Sequence, residues 1–139
     1  MPFGFNGYDV YAWSGQLGFN TANSDRYGLT SAQVTSLGLF NNWKHYCFIM
    51  INNTSLSTNP YTNNKIYVNG VSYPLTQTTG TQNTSIKSFS DGLLRLSGWK
   101  PDSSYKMPMD LSLFKIYNRQ LTDAEIKQNF NAIRQRFAL

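Results

Sequence analysis

At 139 residues, 40% of them hydrophobic and 15% aromatic, the chain is long enough to bury a core of its own and is expected to fold as one domain. Its net charge of +5 is spread thinly over twelve basic residues rather than striped, which argues against a nucleic-acid footprint. One cysteine, Cys47, excludes an intrachain disulfide, and with His45 as the only histidine it excludes a zinc knuckle or a multi-histidine metal site.

The polar part of the composition points to strands and turns. Ser, Thr and Asn together number 41, while charged residues reach only 14%. There is no signal-like N-terminus and no apolar run of about 18 residues, so neither secretion by that route nor a membrane span is expected.

The first third reads as short strands broken by glycine and asparagine: Phe3–Asn6, Asp9–Trp13, Gln16–Asn20 and Tyr27–Leu29, with Ser14-Gly15 as a hairpin turn. Thr30 to Leu39 is polar, with room for one short helical turn. Trp43–Asn52 is the most apolar strand; both of its faces are largely apolar, which predicts a central position covered on both sides, with Trp43 and Cys47 in the core. Residues 53–63 read as a loop, and Lys65–Tyr73 as a hairpin with Asn69-Gly70 in a type I′ turn.

Thr76 to Thr84 reads as polar loop, followed by strands Ile86–Phe89 and Leu93–Ser97 around a Ser90-Asp91-Gly92 turn. An aromatic loop, Gly98–Pro108, leads to a last strand, Met109–Asn118. The end of the chain changes character. Thr122 and Glu125 form a capping-box pair, Leu121 and Ile126 a hydrophobic staple, and Ile126, Phe130, Ile133 and Phe137 an apolar stripe at helical spacing. Five basic residues between Lys115 and Arg136 fall mostly on that helix and read as a solvated face, with Arg134 and Arg136 suiting its dipole. Short strands at regular intervals predict an all-β antiparallel sandwich with one C-terminal α-helix.

Three segments, in order, carry a resemblance to a known family: Trp43-Lys44-His45-Tyr46, then Lys65 to Gly70 (KIYVNG), then Leu113 to Ile126 (LFKIYNRQLTDAEI). The chain resembles the concanavalin A-like, laminin-G-like jelly-roll superfamily. Residues 18–29 and 129–137 look like versions carried by bacteriophages. The resemblance covers residues 1–139 as a single domain, but family members begin with two or three further strands. It therefore implies a sandwich incomplete at its first edge, completed by a homo-oligomer contact or by another virion chain.

Enzymes of that superfamily use paired carboxylates. Here the only glutamate, Glu125, is accounted for as a cap, and the two aspartates nearest in sequence, Asp102 and Asp110, are eight residues apart across a loop. No catalytic residues and no cofactor are expected, and His45 reads as structural. Many laminin-G-like domains hold calcium at the rim; Asp25, Asp91 and Asp102 are the available oxygens, yet no dense acidic loop exists, so no metal is expected.

Trp99, Asp102 and Tyr105 form the candidate carbohydrate site, since aromatic faces stack on sugars and a carboxylate bonds hydroxyls; Trp13, Tyr61 and Asp25 are lesser candidates. The resulting expectation is a non-catalytic structural or binding module on the virion surface, or otherwise extracellular, that recognises host glycans. The alternative is a capsid-decoration or tail scaffold without a sugar ligand.

Overall fold

Side-chain alternation at period two organises the N-terminal third. In the computed structural model, which describes residues 1–5, 8–21, 24–51, 60–81, 93–98 and 105–139, this region forms β1 (Phe3–Phe5), β2 (Tyr8–Trp13), β3 (Gln16–Asn20) and β4 (Arg26–Leu29), each antiparallel to the next. A capped helix α1 (Ser31–Ser36) follows. Then come β5 (Tyr46–Ile49), β6 (Lys65–Val68), β7 (Val71–Tyr73), β8 (Thr76–Thr79), β9 (Arg95–Leu96) and α2 (Asp123–Ile133). A six-stranded sheet has the order β8-β4-β3-β2-β1-β9, and a three-stranded sheet the order β5-β6-β7.

The turns explain the hairpins. Ser14 and Gly15 have φ of 54° and 74°, and Asn69 and Gly70 of 51° and 78°, the left-handed pair that two-residue hairpins need. At Gly18 and Gly28 the backbones of β3 and β4 approach closely; a Cβ on Gly28 would overlap the Leu17 carbonyl oxygen and the Gly18 Cα.

One apolar cluster joins the two sheets. Tyr8, Val10, Leu17, Phe19 and Leu29 meet Ile66 and Val68, with Val34 and Leu39 from the α1 region closing the end. Two hydrogen bonds to Asn64 Oδ1 tie the layers: the Tyr8 hydroxyl and the Ile51 amide both donate to it at 2.8 Å. On the far side of the small sheet, Ile49 and Tyr67 pack with Leu121 and Ile126 of the C-terminal region. The helix thus covers the small sheet's second face, and the Tyr67 hydroxyl donates to Asp123 Oδ1 at 2.6 Å.

The helix start forms as its residues dictate. Glu125 N donates to Thr122 Oγ1, Thr122 N donates to Glu125 Oε2 at 2.8 Å, and Arg119 grips the same carboxylate with two N–H groups. The stripe runs on past Ile133 into a 3₁₀ turn, Arg134–Phe137, so both terminal arginines sit in that turn and not in the α-helix.

Several sequence expectations are corrected. Thr76–Thr79 is not loop but strand β8: its polar, β-branched residues pair with the free edge of β4, a bulge between Arg26 and Tyr27 absorbing the register. The strand expected over Trp43–Asn52 is shorter and lies at a sheet edge. At one end the Asn69 side chain takes the His45 amide while the Asn69 amide still donates to His45 O at 2.8 Å, and at the other the Asn64 side chain takes the Ile51 amide, so side chains stand in for ladder partners there. Trp43 is not core; it is 46% exposed, its ring lying 5.3 Å from that of Phe137. Cys47 is half-buried.

Leu93–Ser97 contracts to the two residues of β9, which pair with β1, so β1 is not an open edge. Residues 109–118 hold the alternation of a strand but pair with none among the described residues. The expected strand Ile86–Phe89 and the Ser90-Asp91-Gly92 turn lie outside the described residues.

Candidate functional site

Strand β2 sends its side chains to two different places. Val10 and Ala12 face the shared core, which turns Asp9, Tyr11 and Trp13 to the opposite face of the six-stranded sheet. Trp13, at the turn end of the strand, is 65% exposed. Tyr105 is 51% exposed, and its ring meets that of Tyr11 edge-on at 6.1 Å. The left-handed backbone of Tyr105 (φ 60°) and a 2.7 Å bond from the Met1 ammonium to its carbonyl oxygen fix this part of the chain against the sheet.

Beside the aromatics lies a polar group centred on buried Arg26, with half-buried Gln16 and exposed Thr79. The Arg26 guanidinium stands 4.9 Å from the Tyr11 ring centroid and donates to Gln16 Oε1 and, at 3.4 Å, to Thr79 Oγ1. Burial lowers the Arg26 pKa, with the Tyr11 hydroxyl acting against that shift. Register places Gln16 opposite Trp13 and Gly18 opposite Tyr11, and the Arg26 side chain lies against buried Gly18. Farther along the same face, Asp9 is fully buried and pairs across to Asn20, whose Nδ2 donates to Asp9 Oδ2 at 3.4 Å. Burial raises the Asp9 pKa to about 7.

Of the three residues expected to form the carbohydrate site, only Tyr105 lies among the described residues; Trp99 and Asp102 lie outside them. Of the lesser candidates, Trp13 joins the exposed rim. Tyr61 falls in a 3₁₀ turn, Pro60–Asn63, away from β2 in sequence. Asp25 is not a surface group: it is buried, its Oδ1 accepting from Thr21 N at 2.8 Å and Thr21 Oγ1 at 3.0 Å, which ties the loop before β4. Of the calcium candidates, Asp91 and Asp102 lie outside the described residues, among which no group of three or more His, Cys, Asp or Glu residues comes together.

Tyr11 and Arg26 were missed in the sequence. The spacing of Tyr11 and Trp13 out of phase with Val10 and Ala12 was the signal that could have found the first.

His45 has no acidic partner among the described residues. Its ring packs 5.9 Å from Phe130, its amide donates to Asn69 Oδ1, and burial, helped by Lys115, lowers its pKa. On the other side of the molecule lies an apolar cleft of about 1420 Å³, lined by Tyr46–Ile51 and by residues 107–121. None of Tyr11, Trp13 and Tyr105 lines it.

Compared with models of protein families, with curated proteins and with solved structures, the chain finds no match. The likeness to the concanavalin A-like group therefore rests on the three sequence motifs alone. Among the described residues, no helix is long and apolar enough to cross a membrane.

Proposed function

We propose that this chain is a non-catalytic binding module of a bacteriophage virion, a laminin-G-like jelly roll displayed at the surface, and that it recognises host glycans through the Tyr11–Trp13–Tyr105 rim. The carrying observation is the exposure of Trp13 and Tyr105 on either side of Tyr11, which packs on the hydrogen-bonded Arg26. Aromatic faces stack on the C–H faces of sugars, and the neighbouring, half-buried Gln16 amide supplies a hydroxyl partner. Buried Arg26, stacked on Tyr11 and bonded to Gln16 and Thr79, holds the platform without itself being offered to a ligand. No metal or cofactor enters this reading.

A glycan array probed with the purified chain and with Trp13→Ala tests it. Binding to a defined set of glycans that the variant loses supports the reading; binding unchanged in the variant, or none to any glycan, refutes it.

A second reading, a scaffold protein without a sugar ligand, is favoured by the apolar cleft and by the outer edge of β5, unpaired among the described residues, an arrangement that seats other protein chains. A homo-oligomer or an edge completed by a neighbouring virion chain belongs to this reading. Light scattering that shows a stable oligomer, together with a blank array, would select it.

A further inference from the structure

Three observations converge on the cleft. The first is the edge of β5: it pairs with β6 on one side only, and its other side is open among the described residues. The second is the composition of residues 109–118. Leu111, Leu113, Phe114, Ile116 and Tyr117 all stand exposed in one short stretch, although their alternation suits a strand with two apolar faces. The third is where this stretch is held. Ser97 Oγ donates to Met107 O at 2.8 Å and accepts from Met107 N at 3.2 Å at its start; Leu121 is buried against Ile126 at its end. The stretch is tethered at both ends to the cleft that it lines.

The faces already match. On β5, Phe48 turns to the shared core, with its ring 5.3 Å from Phe3, while Cys47 and Ile49 turn to the helix side. On the stretch, Phe114 meets the same Phe3 ring at 6.1 Å, whereas Tyr117 turns to the helix, its hydroxyl accepting from Asn129 Nδ2 at 3.4 Å. Phe114 thus turns to the core side and Tyr117 to the helix side, the even–odd parity that a strand beside β5 requires.

We propose that residues 109–118 are a strap that closes on the open edge of β5, adding a fourth strand to the small sheet and filling the cleft. Closing satisfies the β5 edge and removes the five half-exposed apolar side chains from water. Tethering at both ends gives the strap a high effective concentration, so it competes well against a strand from another molecule. The open arrangement is the state in which the edge is available. The strap is independent of the proposed glycan rim, none of whose aromatic residues lines the cleft.

The chain's lone cysteine provides the test, because Cys47 lies on β5 and faces the helix side. Single cysteines are introduced at helix-side positions (Leu111→Cys, Leu113→Cys, Lys115→Cys, Tyr117→Cys) and at core-side positions (Ser112→Cys, Phe114→Cys, Ile116→Cys). Each full chain is oxidised with copper–phenanthroline, with Cys47→Ser as the control and circular dichroism confirming the fold. A disulfide needs Cα atoms roughly 4.4–6.8 Å apart with Cβ atoms turned together. Closure predicts intrachain disulfides at one or two adjacent helix-side positions and none at core-side positions, read by non-reducing mass spectrometry. Equal cross-linking at both sets, no intrachain cross-link in folded chains, or disulfides only between chains would overturn the strap. Glycan binding read on the same variants is expected to stay unchanged, so a failure of the strap and a failure of the rim are told apart.

Discussion

Replacing Asp9 with asparagine is expected to stabilise the chain, and increasingly so as pH rises. Asp9 is fully buried on β2, Asn20 gives it one long hydrogen bond, and its Oδ1 has no partner among the described residues. Burial raises its pKa from 3.8 to about 7; the Asn20 bond and the Met1 ammonium oppose the shift, and Asp25 adds to it. The folded chain therefore keeps a proton that the unfolded chain has released, and stability falls as pH climbs from 3.8 towards 7. At about 1.4 kcal/mol per unit, the loss is about 2 kcal/mol near pH 5 and about 4 kcal/mol once pH exceeds 7. Asn keeps the shape, which matters because a Cβ on Gly4 would already overlap the Asp9 Cβ, and removes the titration. Urea unfolding followed by tryptophan fluorescence at both pH values measures the gap between variant and wild type. A gap that widens by roughly 2–3 kcal/mol agrees with the burial argument; one that stays constant with pH, or shrinks, refutes it.

Three other substitutions probe separate parts of the fold. Thr122→Ala removes the N-cap of α2 and should cost about 1 kcal/mol in denaturant unfolding, with less helical signal near the C-terminus. Ile126→Ala opens a hole between the helix and the small sheet and should cost about 3 kcal/mol, whereas an effect near zero would mean that the helix does not dock through that residue. Gly28→Ala forces a methyl group into the Leu17 carbonyl and the Gly18 Cα; a loss of about 3 kcal/mol is expected, visible as a lowered midpoint, and a neutral result would contradict the close approach of β3 and β4.

Local chemistry was the legible part of the sequence. Asn69-Gly70 and Ser14-Gly15 can hardly form anything but tight hairpin turns, and Thr122 with Glu125 marks a helix start whatever surrounds it. What escaped depends on partners distant in the chain. Thr76–Thr79 has no apolar pattern and becomes a strand only because β4 offers it an edge. Trp43–Asn52 is apolar on both faces, yet Asn64 and Asn69, far along the chain, cap its ladder at both ends.

The candidate site was half legible for the same reason. Tyr105 and Trp13 were visible as aromatics near turns, but their relation to Tyr11 and Arg26 arises from strand register and from a loop returning across about ninety residues. Asp25 is the exception: the Thr21 amide and hydroxyl that its carboxylate accepts from lie close in sequence, and its burial is what the sequence hid.

The central claim is that Tyr11, Trp13 and Tyr105 form the surface that meets a ligand. It is tested most directly by a residue-resolved NMR titration of the isotope-labelled chain with the strongest glycan found on the array. The account predicts saturable shifts at the Trp13 indole, Tyr11, Gln16 and Tyr105, with the β5 cleft unmoved. Shifts confined to Tyr46–Ile51 and residues 107–121, or none at the rim under saturating glycan, would contradict it.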